Sequence, residues 1–550
     1  MLTRVLLSLV VLGAFVTAQP TNVGVEQTAP GSRAPATLVE SFDGLGVGFD
    51  GPQGSAALRN PSDNSLAVGP NHVVQTVNSR MAIFTKKGKR FDASGKPLYG
   101  PVNTNNVFKG FGGACEANNN GDAVVRYDQI GDRWLIVMPI FRRDPSRLRP
   151  QSNQPSSGEA GRSGGPAVLS MPGRPNQPGP AAALVAPPPA PAPPAAPSAG
   201  SGQRGPPPPA EGPYSMCYAI STGADPFGPY YRYEFLRPLF PDYPRPAVWR
   251  DGYYVPTSTG DDVIQKHTCV VDRTRMLKGQ PATEQCFVID DVNFLNNADV
   301  DGKTLPPSGA PNVMLAAGGT QLKNVVEDNA IFAWQVHVDW RDPSKSALSG
   351  PAKIGVAPYR YLCDGQLTDC VPQPGSERRL DAQGDKVMAR VVYRNVNGRE
   401  SVVAVHSVNT AAGGGGVRWY ELGIDKNRMV SLFQQGTYAP DNLFRWMASP
   451  AIDKFGNIGI GYSFGGGDHY AGQRFAGRLA SDPPGQLTLR ETVLVEGEDA
   501  QNAMRWEDDT QTAVDPSDDC TIWYVGDYVK KGAPNYSSRI GAFRLSDRCR

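Results

Sequence analysis

Pro450-Ala451-Ile452-Asp453-Lys454-Phe455-Gly456-Asn457-Ile458 and Thr512-Ala513-Val514-Asp515-Pro516-Ser517-Asp518-Asp519-Cys520 are two copies of one pattern. In each, a small or β-branched apolar pair runs into a polar turn and then into an apolar strand. Seven copies begin near Ala67, Val125, Ala247, Val313, Val391, Ala451 and Ala513, about 60 to 80 residues apart except across one longer gap. Short strands and Gly/Pro/Asn/Asp turns at such a period are the signature of radially repeated sheets. The expected fold is therefore all-β: a β-propeller of seven four-stranded antiparallel blades, with six as the alternative count. One body is expected from 59 to 550, closed by the chain's own last strand. The 61 glycines and 51 prolines, without long 3.6-period apolar faces, agree with this class.

The first residues predict export. Arg4, the apolar run Val5 to Val16 and the small residues Val16-Thr17-Ala18 form a secretory signal over 1–18, with cleavage after Ala18. A dozen apolar residues are too few to span about 30 Å of hydrocarbon. No later segment is apolar enough to do so, and a secreted monomer, extracellular or periplasmic, is expected. Residues 19–58 lack periodicity and read as a flexible leader. Residues 144–213 are a Pro/Ala/Gly/Ser tract too poor in apolar side chains to offset its ordering entropy, and read as disordered. Strand-like Trp134 to Met138 and Met216 to Ile220 flank it, which makes it an insertion inside the second blade.

The eight cysteines form no CxxC pair, and an even count in an oxidising compartment favours disulfides over zinc. Neighbours suggest Cys363–Cys370, Cys520–Cys549, Cys269–Cys286 and Cys115–Cys217, among the 105 pairings that eight cysteines allow. The formal net charge is +1. The basic run Lys86-Lys87-Gly88-Lys89-Arg90 reads as a solvated hairpin turn, far short of the basic stripe a nucleic-acid partner requires.

Several stretches resemble a group of secreted bacterial propellers of sialidase-like fold and uncharacterised role. They include Pro61-Ser62-Asp63-Asn64-Ser65-Leu66-Ala67-Val68-Gly69-Pro70-Asn71-His72, Gly110-Phe111-Gly112-Gly113-Ala114-Cys115-Glu116 and Tyr127-Asp128-Gln129-Ile130-Gly131-Asp132-Arg133-Trp134-Leu135. Phe240 to Pro244, Gln435 to Asp441, Gly477 to Pro483 and Asp518 to Tyr524 belong to the same likeness. It runs from about residue 60 to the C-terminus, outside the proline-rich insertion, and implies fold without activity. Arg505-Trp506-Glu507-Asp508-Asp509 stands where the group has Arg-Trp-Gly-Asp-Tyr, so no role for that loop carries over.

In a propeller the residues leading into each innermost strand gather at one mouth of the central channel. By the repeat register these are Asp63 and Asn64, Asp122, Asp242 and Tyr243, Asn312, Asp385, Arg445 and Trp446, and Arg505 with Asp508. Converging carboxylates repel, which raises their pKa values, recruits a cation or demands arginine partners. The alternative is that Asp and Asn merely begin strands by bonding their own turns. No cofactor is expected and no metal site is firm. Ca²⁺ has three candidate loops: Asn118 to Asp122, Asn297 to Gly302 and Asp515 to Asp519. Gly461-Tyr462-Ser463-Phe464-Gly465 matches a hydrolase elbow, but Gly466-Gly467-Asp468 follows where a helix is needed, so it reads as strand and turn.

Two function classes result. One is a propeller binding an extracellular carbohydrate or protein at the channel mouth, with Tyr243, Trp446 and Trp506 as aromatic faces. The other is a sialidase-like glycoside hydrolase at the same mouth. It would need an arginine group, drawn from Arg445, Arg478, Arg505 and Arg539, and carboxylates such as Asp63, Asp122 and Glu507. The S-x-D-x-G-x-T-W box common in sialidases is absent, which favours binding.

Overall fold

The computed structural model describes residues 25–55, 59–141, 168–172, 214–258, 265–319, 321, 326–503 and 505–549. The signal segment 1–18 and the rest of 144–213 lie outside them. The described chain is all-β, and its strands pair into seven successive groups of four, called sheets below. Three of them are parts of larger sheets, and Val371–Gln373 and Ser376–Leu380 form a separate two-stranded ribbon. Their first strands are Ser65–Val68, Val124–Asp128, Ala247–Val248, Asn296–Val300, Val391–Val396, Phe444–Ile452 and Gln511–Val514. Six of the seven repeat copies fall on these strands. The copy at Val313 falls on the second strand of the fourth sheet, Asn312–Ala317, so the register there is corrected by one strand. Asn312 begins that strand fully buried, its amide bonded to Ala298 O and Asn297 Nδ2, away from the lead-in position.

Within each sheet the strands run antiparallel in chain order, except that an N-terminal strand forms the edge of the seventh. The fourth and fifth sheets also merge, because Ala298 to Val300 pair in parallel with Val391 to Tyr393. Together with Glu26–Gln27 on its edge this makes one nine-stranded sheet. Apolar side chains fill the space between successive sheets. Leu135 and Val137 of the second meet Val255 and Val271 of the third, and Phe475 of the sixth stacks on Phe543 of the seventh with centroids 4.1 Å apart. The first sheet packs on the seventh, Leu66 and Val68 against Trp523 and Val525. Glycine permits the tightest approach: a Cβ at Gly461 would stand 2.3 Å from the Tyr524 ring.

Two expectations about the termini change. The outer strand of the seventh sheet is Thr37–Asp43, paired antiparallel with Ser537–Arg544, so an N-terminal strand and not the chain's last one completes that sheet. The stretch read as a flexible leader is therefore ordered over 25–55. It also pairs with the fifth sheet through Glu26–Gln27 and touches the sixth through the Arg33–Asp482 ion pair. Arg133–Ile140 and Tyr214–Ser221, the strands on either side of the Pro/Ala/Gly/Ser tract, pair directly within the second sheet. The tract's described part is not disordered: Val168–Pro172 adds a fifth strand beside Thr283–Ile289.

All four suggested disulfides are present, Cys115–Cys217, Cys269–Cys286, Cys363–Cys370 and Cys520–Cys549. Among the described residues no helix is long and apolar enough to cross a membrane. The four disulfides fit an oxidising, extracytoplasmic compartment.

Where the first strands meet, an ion-pair network fills the middle. Arg390 reaches Asp299 at 2.7 Å and Asp301 at 2.5 Å, and Arg126 stands 3.5 Å from Asp299. Backbone groups complete it: Val248 N and Ile452 N donate to the two aspartates, and Arg390 donates to Thr512 O. The space left there is about 20 Å³, room for about one water molecule.

Candidate functional site

Each first strand has two ends, and the loops leading into them come together at one. Left-handed backbone recurs in these loops, at Asp63 (φ 47°), Asp122 (53°), Tyr243 (50°), Gln383 (46°) and Asp508 (65°). Asp tolerates that region by bonding locally, whereas Tyr and Gln do so only when their surroundings hold them, at a cost of about 1–3 kcal/mol each.

Hydrogen bonds join these loops into one constellation. Carboxyl-to-carboxyl bonds link Asp63 to Asp122 and Asp122 to Asp242. Asn78 Nδ2 donates to Asp63 Oδ2 at 2.6 Å. The Tyr243 hydroxyl donates to Asp508 O, and Gln383 Nε2 donates to Asp508 Oδ1 at 2.7 Å. Arg505 bridges Asp508 and Asp381, the latter at 2.5 Å. Lys386 continues the chain from Gln383 to Asp385 at 2.9 Å, and Asn293 Nδ2 donates to Asp385 Oδ2 at 2.7 Å. Phe294 lies beneath, with Lys386 Nζ 4.1 Å and Arg245 4.8 Å from its ring centre, and Tyr243 set edge-on to it.

The electrostatics follow from burial among like charges. Burial, and then the charge of Asp508, raises the Asp63 carboxyl well above the ordinary range; burial and Asp63 do the same to Asp122, and burial and Asp122 to Asp242. Burial lifts Glu507 to about 8, Asp509 to about 7 and Asp381 to about 6, the last in spite of Arg505. Burial thus favours the protonated form at Asp63, Asp122 and Asp242, and the protons there belong to the three together. A protonated carboxyl is at once donor and acceptor, as a sugar hydroxyl is.

Asp63, Asp122, Asp242, Tyr243, Asp385, Arg505 and Asp508 are therefore brought together. Three other expected residues stand elsewhere. Asn64 is fully buried and knits the first sheet to the seventh, donating to Asp527 and accepting from Gln75. Arg445 lies beyond a bulge between Trp446 and Ser449, where Met447 has φ 46°, and it pairs with Asp441 and Glu491. Trp446 is core, packed 6.3 Å from the equally buried Trp506, with Nε1 donating to Asp381 O.

The repeat register missed Asp381, Gln383, Lys386 and Asn293, while Glu507, expected as a mouth carboxylate, bonds Ser463, Gln473 and Asp527 N instead. The segment before the fifth sheet is long: Asp385 stands six residues before Val391 and Asp381 ten. The alternating polar residues of Asp381-Ala382-Gln383-Gly384-Asp385 were the available signal.

The three candidate Ca²⁺ loops use their oxygens internally. Asp515 accepts from Lys86 and Trp523, and Asp518 from Cys520 N and Thr521 N. Asp299 and Asp301 serve Arg390, while Asn119 and Asn120 accept from Thr104 and Phe141 N. The cysteine-containing carboxylate groups, Cys269/Glu284/Cys286 and Asp453/Cys520/Cys549, have their sulfurs in disulfides. Ser463 of the elbow-like motif sits inside the strand Ile458–Gly466, bonded to Glu507, Trp506 and Gln473.

No family model matches the chain, and no curated protein matches it. Among solved structures it is similar to a protein of unknown function from Dyadobacter fermentans, at 10% identity and a TM-score of 0.34. That match covers 93% of this chain and 99% of the other.

Proposed function

We propose that the seven sheets are the blades of a propeller of sialidase-like type, and that the protein is a secreted binding protein whose carboxyl-rich end takes a neutral carbohydrate. The packing of the first sheet on the seventh supports the ring. The observation that carries the function is the convergence of lead-in loops from six sheets onto the hydrogen-bonded row from Asp63 to Asp385. Groups that both donate and accept, beside Tyr243, match vicinal hydroxyls without burying an unpaired charge. A protein partner would need about 800 Å² of surface on each side. The exposed large apolar residues Met429, Phe433 and Val493 lie instead on or beside outer strands of the fifth and sixth sheets.

The hydrolase reading loses its arginine group. Arg445 pairs with Asp441 and Glu491, Arg505 with Asp381 and Asp508, and Arg539 with Asp43, while Arg478 binds Gln434 and Asp482 O. No carboxylate is shared among the four.

The test is binding to a panel of immobilised neutral oligosaccharides, wild type beside Asp122→Ala/Asp242→Ala. Wild type should bind at least one member, and the double variant should lose about tenfold or more in affinity while folding normally, since it removes two buried carboxyls that repel each other once ionised. Binding to no sugar, or equal binding by both proteins, would overturn the assignment.

A further inference from the structure

The first strands also have far ends, and a groove of about 930 Å³ opens there. Pro70 and Asn71 follow the first strand of the first sheet, Asp132 that of the second and Asp515 to Asp518 that of the seventh. All line the groove, so it lies across the molecule from the Asp63 row. Its size is that of a ligand site. The ion-pair network around Arg390 stands between the two.

One wall is the basic hairpin. Lys86 is buried and fixed, its ammonium 2.5 Å from Asp515 Oδ1 and 2.8 Å from Ser517 Oγ, while Trp523 Nε1 donates to the other Asp515 oxygen. This knot anchors the turn 87–90 at the wall of the groove and neutralises Asp515. Lys87 and Lys89 are exposed, and among the described residues no acidic group pairs with either. Arg544 and Lys303 face the same space, each at the long distance of 3.7 Å from its acid, Asp518 and Asp132 respectively. Exposed pairs of that kind hold their cations weakly and leave them available to a ligand.

We propose that this groove is a second binding site, independent of the carboxyl-rich end, and that it takes an anionic polysaccharide. An open groove with cations along one wall suits an extended chain bearing one charge per sugar. Duplex DNA fits less well, since it carries a charge every ~1.7 Å of axis. Its phosphates would meet Glu40, Asp132 and Asp518 as well as the lysines.

The test uses polygalacturonate for carboxylate, dextran sulfate for sulfate, neutral dextran and a short DNA duplex. Wild type should bind one or both anionic polysaccharides, less tightly as salt rises, and neutral dextran not at all. Lys87→Glu/Lys89→Glu should weaken that binding about tenfold or more. Lys426→Glu, a charge reversal on an exposed turn of the fifth sheet, should leave it within twofold. Polygalacturonate binding alone assigns carboxylate as the recognised group, and dextran sulfate binding alone assigns sulfate. Unchanged binding by the double variant, equal loss in Lys426→Glu, or tighter binding to DNA than to either polysaccharide would overturn the proposal.

Discussion

The two ends of the first strands are built from similar residue types and reach opposite solutions. At one end, carboxyls from successive sheets lie buried against each other and keep their protons, with Arg505 and Lys386 as the internal cations. At the other, the acids of the turns are answered by N–H groups and lysine, and the surplus is positive and exposed. The difference teaches that burial, not composition, sets the chemistry. An aspartate in a lead-in loop faces its counterparts from neighbouring sheets, whereas one in a far turn faces its own backbone and solvent.

The largest expected effect tests the network between the ends. Arg390→Met leaves Asp299 and Asp301 buried without their main partner and should cost about 3–5 kcal/mol in denaturant unfolding. A loss under about 1 kcal/mol would mean that the network does not hold the sheets together. Arg445→Ala is next. Arg445 lies off the carboxyl row, so the substitution should cost about 2–3 kcal/mol, discounted because Asp441 and Glu491 are partly exposed, while sugar binding stays unchanged. Lost binding with an unaltered melting temperature would place it at the site after all.

A smaller effect sharpens the contrast through pH. Glu507 titrates near 8 in the folded protein against about 4.3 unfolded. The folded state therefore holds the proton more tightly. The resulting stability is fully present below about pH 4 and is lost as pH rises toward 8. Glu507→Gln imitates the protonated form and should match wild type near pH 4. Near pH 9 it should be the more stable of the two. Equal pH dependence in the two proteins would show that Glu507 is ionised throughout.

Much of the frame was legible in the chain. Ala67, Val125, Ala247, Val391, Ala451 and Ala513 all mark first strands, because a short buried strand entered and left by polar turns leaves a local signature. Seven of the residues expected at one mouth come together in one cluster, because each stands in the loop leading into its own first strand. Long-range pairings were not legible. Thr37–Asp43 finds its partner some 500 residues away, and nothing in that heptapeptide names Ser537–Arg544. Nor does sequence mark the bulge after Trp446, since the local pattern Phe444 to Ile452 reads as one unbroken strand.

The most direct test of two independent ends is a crossed binding measurement. Wild type, Asp122→Ala/Asp242→Ala and Lys87→Glu/Lys89→Glu are each titrated with the neutral oligosaccharide panel and with the two anionic polysaccharides. Each double variant should lose about tenfold or more for one class and stay within twofold of wild type for the other. Parallel loss of both classes in either variant would show that the molecule has one site, and that the separation of its ends is wrong.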